Sequence, residues 1–162
     1  MKEKTIDYVL RTTWLAVQKM YNEEASKFGA TMTTAFTLLS IDPTKGTPST
    51  ALGPKMGMEA TSLSRTLKSL EEKKLIERKP NPDDGRSVLI YLTERGKVNR
   101  DASRVAVLKF NQAIKDDIGD ESFENFHNTI EKINNLIKNK KIFIHDEFPK
   151  KQLIKIIFFS HL

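Results

Sequence analysis

Apolar residues recur along the first thirty positions at intervals of three and four: Ile6, Leu10, Thr13, Trp14, Val17, Tyr21 and Ala25. That spacing puts them on one face of a long helix, which is expected to end near Phe28-Gly29 with Gly29 as its left-handed cap. A second helix is expected after Thr31, running through Ala35, Leu38, Leu39 and Ile41 until Asp42-Pro43 stops it. Thr44 to Thr47, with Gly46, reads as a loop. Thr47-Pro48 reads as a helix start, because threonine can cap and proline suits the first turn. This helix is expected to be short. Pro54 lacks a backbone donor and would kink or reset it, and Gly57 closes it. From Glu59 to about Lys73 another helix carries Leu63, Leu67 and Leu70 as its stripe. The two short helices joined at Gly57 predict a helix-turn-helix.

The period then changes from helical to alternating. Leu75–Lys79 and Ser87–Leu92 are strand-like runs separated by Pro80-Asn81-Pro82-Asp83-Asp84-Gly85-Arg86, a stretch dense in turn formers. This predicts a hairpin with a long exposed tip. Thr93 is placed to cap a further helix from about Glu94 to Ile118, ending at Gly119-Asp120. Phe123, Phe126, Ile130, Ile133 and Ile137 then form the stripe of a last helix that packs along another. Beyond Lys141, Pro149 interrupts and Leu153 to Phe159 is a short apolar patch. The expected architecture is mainly α with a small β-hairpin wing, a winged helix-turn-helix framed by N- and C-terminal helices.

Charge adds a direction to this frame. The 162 residues carry a net charge of +6, unevenly spread. Between Lys45 and Arg100 twelve Lys and Arg stand against seven Asp and Glu, and from Lys138 onward six Lys stand against two acids. The rest of the chain is acidic. A basic middle on an acidic helical frame suits a polyanion-binding module. Cysteine is absent, which excludes disulfides, thiolate nucleophiles and cysteine redox switches. No apolar run is long enough to span a membrane, and the charged start has no apolar core of a signal peptide, so a cytoplasmic location is expected. The three histidines, His127, His145 and His161, form no metal-binding pair, and no glycine-rich phosphate loop appears, so neither an enzyme nor a metal or other cofactor is expected. His127 with Glu124 or Glu131 is the one metal arrangement the spacing allows, and it reads better as a polar helix face.

Three stretches carry a family resemblance. Ser49 to Met58 resembles the first helix and turn of the MarR (multiple antibiotic resistance regulator) family of transcription factors. Thr61-Ser62-Leu63-Ser64-Arg65-Thr66-Leu67-Lys68-Ser69-Leu70-Glu71 is similar to its recognition helix. Asp84-Gly85-Arg86 followed by Leu92-Thr93-Glu94-Arg95-Gly96 matches its wing motif, Asp-x-Arg then Leu-Thr-x-x-Gly. The helix order extends the likeness over roughly residues 5–140. Two positions depart from the pattern: Lys74 stands where the family usually has a glycine, and Pro54 is unusual inside its helix.

The physical reason for this arrangement stands without the family. A major groove admits one helix, and Thr61, Ser62, Ser64, Arg65 and Lys68 offer hydroxyls and long cations on such a helix. Arg65 is the expected base reader, since its fork matches guanine O6 and N7. Arg86 at the hairpin tip is expected to enter the adjacent minor groove with Asp84 orienting it, unless the two form a simple surface ion pair. Lys55, Arg78, Lys79 and Ser87 are candidate phosphate contacts; a solvated surface is the alternative for each. The terminal helices lack partners of their own. Residues 1–30 and 101–141 are therefore expected to be dimerisation helices around a DNA-binding domain at 31–100, with a basic and apolar tail at 142–162. The expected function is a homodimeric regulator, as a repressor, of a palindromic duplex operator. The resemblance further implies a small aromatic or anionic ligand bound between the dimer helices and the winged domain. Arg11, Trp14, Phe28 and Phe36 could line such a pocket, with Lys27 a further counter-charge, or the aromatics are plain core. The alternative function is a winged-helix module that binds RNA or a protein partner without ligand control.

Overall fold

The computed structural model describes residues 4–140 apart from Arg86, together with Ile142. The expected roles of Arg86 and of the tail therefore lie outside the described residues. The element order is α1 (Ile6–Ser26), α2 (Met32–Ser40), β1 (Thr47–Pro48), α3 (Ser49–Met56), α4 (Ala60–Glu72), β2 (Ile76–Pro80), β3 (Val88–Leu92), α5 (Glu94–Ile118) and α6 (Asp120–Lys138). The chain falls into two compact units, Met1–Lys109 and Phe110–Leu162.

In the first unit, α1 ends at Ser26 and Gly29 follows in the left-handed conformation, as its spacing suggested. Thr31 caps α2 by accepting a hydrogen bond from the Thr34 amide. The expected helix start at Thr47-Pro48 is corrected. Those two residues are extended and pair with Ile90 and Leu89, so among the described residues the sheet has three strands in the order β1-β3-β2. The Thr47 hydroxyl accepts from the Asp42 amide instead of capping α3, and the helix begins one residue after Pro48. Gly46 must be glycine for a steric reason as well: a Cβ there would sit 2.8 Å from the Tyr91 ring.

The turn that leads into β1 is held by one carboxylate. Asp42 accepts from the amides of Lys45 and Thr44 and from the Thr44 hydroxyl, each at 2.8 Å. These bonds favour the charged form and lower its pKa to about 2. A depressed carboxyl pKa stabilises the fold above the unfolded value and loses that contribution as pH falls towards the folded one. Asp42→Asn should therefore flatten the pH dependence of unfolding between about pH 4 and pH 2, the window set by the two values. Thermal melts of parent and variant across that range check it; parallel curves would show that the turn contributes nothing to acid sensitivity.

The core sits under the helix-turn-helix. Leu38 and Ile41 from the end of α2, Leu52 of α3, and Leu63, Leu67 and Leu70 of α4 pack with Leu75, Ile76, Ile90 and Leu92 of the wing base. Burying each such side chain is worth roughly 1.5–3 kcal/mol, so this cluster fixes α4 against the sheet. The exit from α4 is strained. Lys74 has φ 56, a left-handed conformation that costs a side-chain-bearing residue energy. The Leu75 amide bonds back to the Leu70 carbonyl and the Lys74 amide to that of Glu71, which closes the helix and holds the strain in place. Lys74→Gly should raise stability by about 0.5–1 kcal/mol, the relief of strain less the added freedom of glycine in the unfolded chain. Chemical denaturation measures this directly, and an unchanged midpoint would mean that the lysine is not strained there.

The next helix docks on that exit. Thr93 accepts from the Gly96 amide, capping α5, while its hydroxyl donates to the Lys74 carbonyl at 2.8 Å. The Thr93 amide in turn donates to the Leu75 carbonyl. A Cβ on Gly96 would lie 1.9 Å from that same carbonyl oxygen. The Leu-Thr-x-x-Gly motif is thus a latch between the helix exit and the start of α5.

In the second unit, Gly119 at φ 80 separates α5 from α6. Phe123, Ile130 and Ile133 of α6 are half-buried, whereas Phe126, Leu136 and Ile137 are exposed. The His127 ring lies 4.7 Å from that of Phe123 and 5.9 Å from that of Phe126, an aromatic cluster on the helix surface. Among the described residues no group of three or more potential metal ligands comes together. None of their helices is long and apolar enough to cross a membrane.

Candidate nucleic-acid interface

α4 turns its leucines into the core, and this leaves the opposite side of the helix to solvent. Helical spacing therefore places Thr61, Ser62, Ser64, Arg65 and Lys68 on exposed surface, along the first two and a half turns. Arg65 makes no hydrogen bond or ion pair among the described residues. Lys68 reaches Glu72 one turn on at 4.0 Å, an exposed pair too weak to hold the ammonium. Gly57, left-handed at φ 60, makes the tight turn that brings α3 up to α4. A groove of about 690 Å³ runs between them, lined by Thr50, Pro54, Met58, Leu63, Ser64, Arg78 and their neighbours.

The candidate phosphate contacts differ in how far they are already engaged. Lys55 donates to the Ser40 carbonyl at 2.8 Å, which ties α3 to the end of α2. Lys79 lies 2.6 Å from Glu77 and 5.0 Å above the Tyr91 ring centroid. The Glu77 carboxylate raises the Lys79 pKa, so the ammonium stays charged. Arg78 donates from Nε to Glu71 at 3.0 Å. Ser87 is half-buried and part of the wing's own architecture: it accepts from Asn81 at 2.7 Å and donates to the Asp84 carbonyl. Asn81 also accepts from the Asp83 amide, so the proline-flanked tip is an ordered turn that presents Asp84 on the exposed surface.

A second cavity, of about 250 Å³, opens beside the α1–α2 turn. Its apolar side comes from Phe28, Ala35, Leu38 and Leu75, and its polar side from Lys73, Arg95, Asn99 and Ser103. Of the residues expected to line a ligand pocket, Phe28 is here. Phe36 instead packs edge-on against Tyr21 at 5.6 Å between ring centroids, and Trp14 and Arg11 lie on the exposed surface of α1.

The family model of MarR matches residues 30–88, from the start of α2 to the wing. Over that span the winged helix-turn-helix is similar to the MarR family. The chain is similar to the HTH-type transcriptional regulator SarZ of Staphylococcus epidermidis, 29% identical over 132 residues that span 82% of this chain and 81% of the relative. Among solved structures it resembles a MepR–DNA complex of S. aureus, with a TM-score of 0.74 at 22% identity, covering 82% of this chain and 98% of that one. It also resembles the PcaV transcriptional regulator of Streptomyces coelicolor in complex with its natural ligand, with a TM-score of 0.68 at 18% identity over 80% of this chain and 92% of that one. These structures share its fold, and the family is one of transcription regulators, not enzymes.

Two features of this chain have little or no signal in the local spacing of its sequence. Lys73 and Arg95 face one cavity from elements twenty-two residues apart, a juxtaposition with no local signal. The Glu71–Arg78 bond likewise joins a helix to a strand; the opposite charges seven residues apart were the available hint.

Proposed function

We propose that the protein represses transcription as a homodimer that holds a palindromic duplex operator, with α4 of each copy in a major groove and each wing over the adjacent minor groove. The observation that carries this reading is the face of α4: hydroxyls and an unengaged Arg65 on a rigid helix, at the size and shape a major groove accepts. Thr61, Ser62, Ser64 and Lys68 contact base edges or phosphates there. Lys55 of α3 and Lys79 of β2 serve as phosphate contacts, while Asp84 with Arg86 serves the wing tip and Ser87 shapes it. The MepR–DNA complex, a protein of the same fold, supports this direction.

Salt dependence tests it against an RNA or protein partner. Binding to a selected duplex should weaken steeply as salt rises, because several phosphates are neutralised together, and the duplex should be preferred over single strands of the same sequence. Tighter binding to RNA or to single strands would overturn the duplex reading.

Dimerisation is supported by apolar surface that neither unit covers by itself. On α1, Ile6, Val9, Leu10 and Trp14 are exposed; on α6, Phe126 and Ile137 are 57% and 58% exposed. Such surface on terminal helices fits a two-fold interface. Phe126→Asp combined with Ile137→Asp should convert dimers to monomers while helical content is retained. Sedimentation of an intact dimer from that variant would move the interface elsewhere.

A small aromatic or anionic compound in the cavity at Phe28, Lys73 and Arg95 would control the regulator by favouring one dimer geometry. The apolar wall suits a ring and the two cations a carboxylate. The ligand-bound PcaV structure, of the same fold, supports a ligand-controlled reading.

A further inference from the structure

Building on the duplex-binding reading, we propose that Glu71 and Arg78 are a positioning pair that sets α4 against the wing, and that Arg78 is not a phosphate ligand. Strand alternation is the first reason. Side chains two apart share a face, so Arg78 projects to the side of buried Ile76, which packs against α4, while Glu77 and Lys79 project to the side of Tyr91. The second reason is contact. Arg78 Nε lies 3.0 Å from Glu71 Oε2, a charge-assisted bond from the strand to the last turns of α4. The third is the course of the side chain, which runs along the groove beside Leu63, Ser64 and Leu67 and is only partly exposed.

The pair has something to position. Between the end of α4 at Glu72 and the start of β2 at Ile76 lie three residues, one of them the left-handed Lys74. A link so short transmits any change of helix angle to the wing. Both partners are partly solvent-exposed, with side-chain accessibilities of 37% and 44%, so the bond adds little to stability. Its effect is orientation: base contacts demand placement to within about half an ångström. Arg65 lies on α4 less than two turns before Glu71, so it moves with whatever holds that helix.

The test compares Glu71→Gln, Arg78→Gln, their double variant and Glu72→Gln in the full chain, on a selected duplex, with salt titrations and melting curves. Glu72→Gln controls for the loss of one negative charge near DNA, since Glu72 is the neighbouring carboxylate of the weak Lys68 pair. The expected result is several-fold weaker binding for Glu71→Gln and Arg78→Gln alike, with the double variant no worse than either. The salt slope and the melting temperature should stay at the parent's values. If Arg78 is instead a phosphate ligand that Glu71 competes for, Glu71→Gln tightens binding more than Glu72→Gln does, and Arg78→Gln lowers the slope by about 0.9. That pattern overturns the assignment while leaving the duplex reading intact. A large loss of melting temperature in both single variants also overturns it, by making the pair structural. A parent protein that binds no duplex overturns the duplex reading itself, and this assignment with it.

Discussion

Arg65→Ala is expected to cost about 1–3 kcal/mol on the best duplex site and to flatten preference at one base position of each half-site. Leu63, Leu67 and Leu70 are buried and fix the rotation of α4, which forces Arg65 outward. No side chain among the described residues engages its guanidinium, so the fork is available for a guanine edge without breaking an existing ion pair. Competition binding against a set of single-base operator variants reads this out. The parent should discriminate at the contacted base, and the variant should not. A uniform loss across all sequences, with a lower salt slope, would make Arg65 a phosphate contact instead.

Gly96→Ala should destabilise the protein by about 3 kcal/mol, the upper range for forcing an extra methyl into a packed site. For a chain of this size that corresponds to a fall in melting temperature of about 6–12 °C. The added Cβ would lie 1.9 Å from the Leu75 carbonyl oxygen, and that oxygen is already held by the Thr93 amide. Backbone meets backbone at this point, so no side chain can rotate away. Either α5 withdraws from the exit of α4, or the Thr93 bonds to Lys74 and Gly96 break. Denaturation of the alanine variant beside Val98→Ala, an exposed position on the same helix, isolates the close approach from any change in helix propensity. A Gly96→Ala protein as stable as its parent would show that the latch is slack.

The sequence was most informative where a period repeats over several turns. The leucine stripe of α4 and the breaks at Gly57 and Gly119 mark helices whose ends fall within a residue or two of the expected ones. The first strand of the hairpin is displaced by one residue, to Ile76–Pro80, and the second starts one residue later, Val88–Leu92, because alternation fixes the face of a strand better than its ends. Thr47-Pro48 was misread because two residues carry no period, and proline after threonine is an equally good helix start. Pairing with Ile90 and Leu89, more than forty residues away, decides it. Tertiary pairing overrode a sound local signal.

The candidate interface was legible as a set of residue types and less so as a set of roles. Exposed positions on α4 follow from helical phase, and they lie where the phase puts them. The engagement of Lys55 with Ser40, of Arg78 with Glu71 and of Ser87 with Asn81 depends on distances between elements, which no spacing along the chain encodes. The Leu-Thr-x-x-Gly pattern was visible only as a motif. Its physical reason, a capping threonine and a glycine pressed against the Leu75 carbonyl, needed the packed structure.

In the dimer reading, two copies of α4 hold one operator. Selection of bound sequences from a random duplex pool by the purified full chain tests it most directly. The expected result is enrichment of an inverted repeat whose half-sites lie about one helical turn, or a small multiple of it, apart. A pool that emerges with no enriched sequence, although the protein binds it, would mean that the two copies of α4 do not read bases.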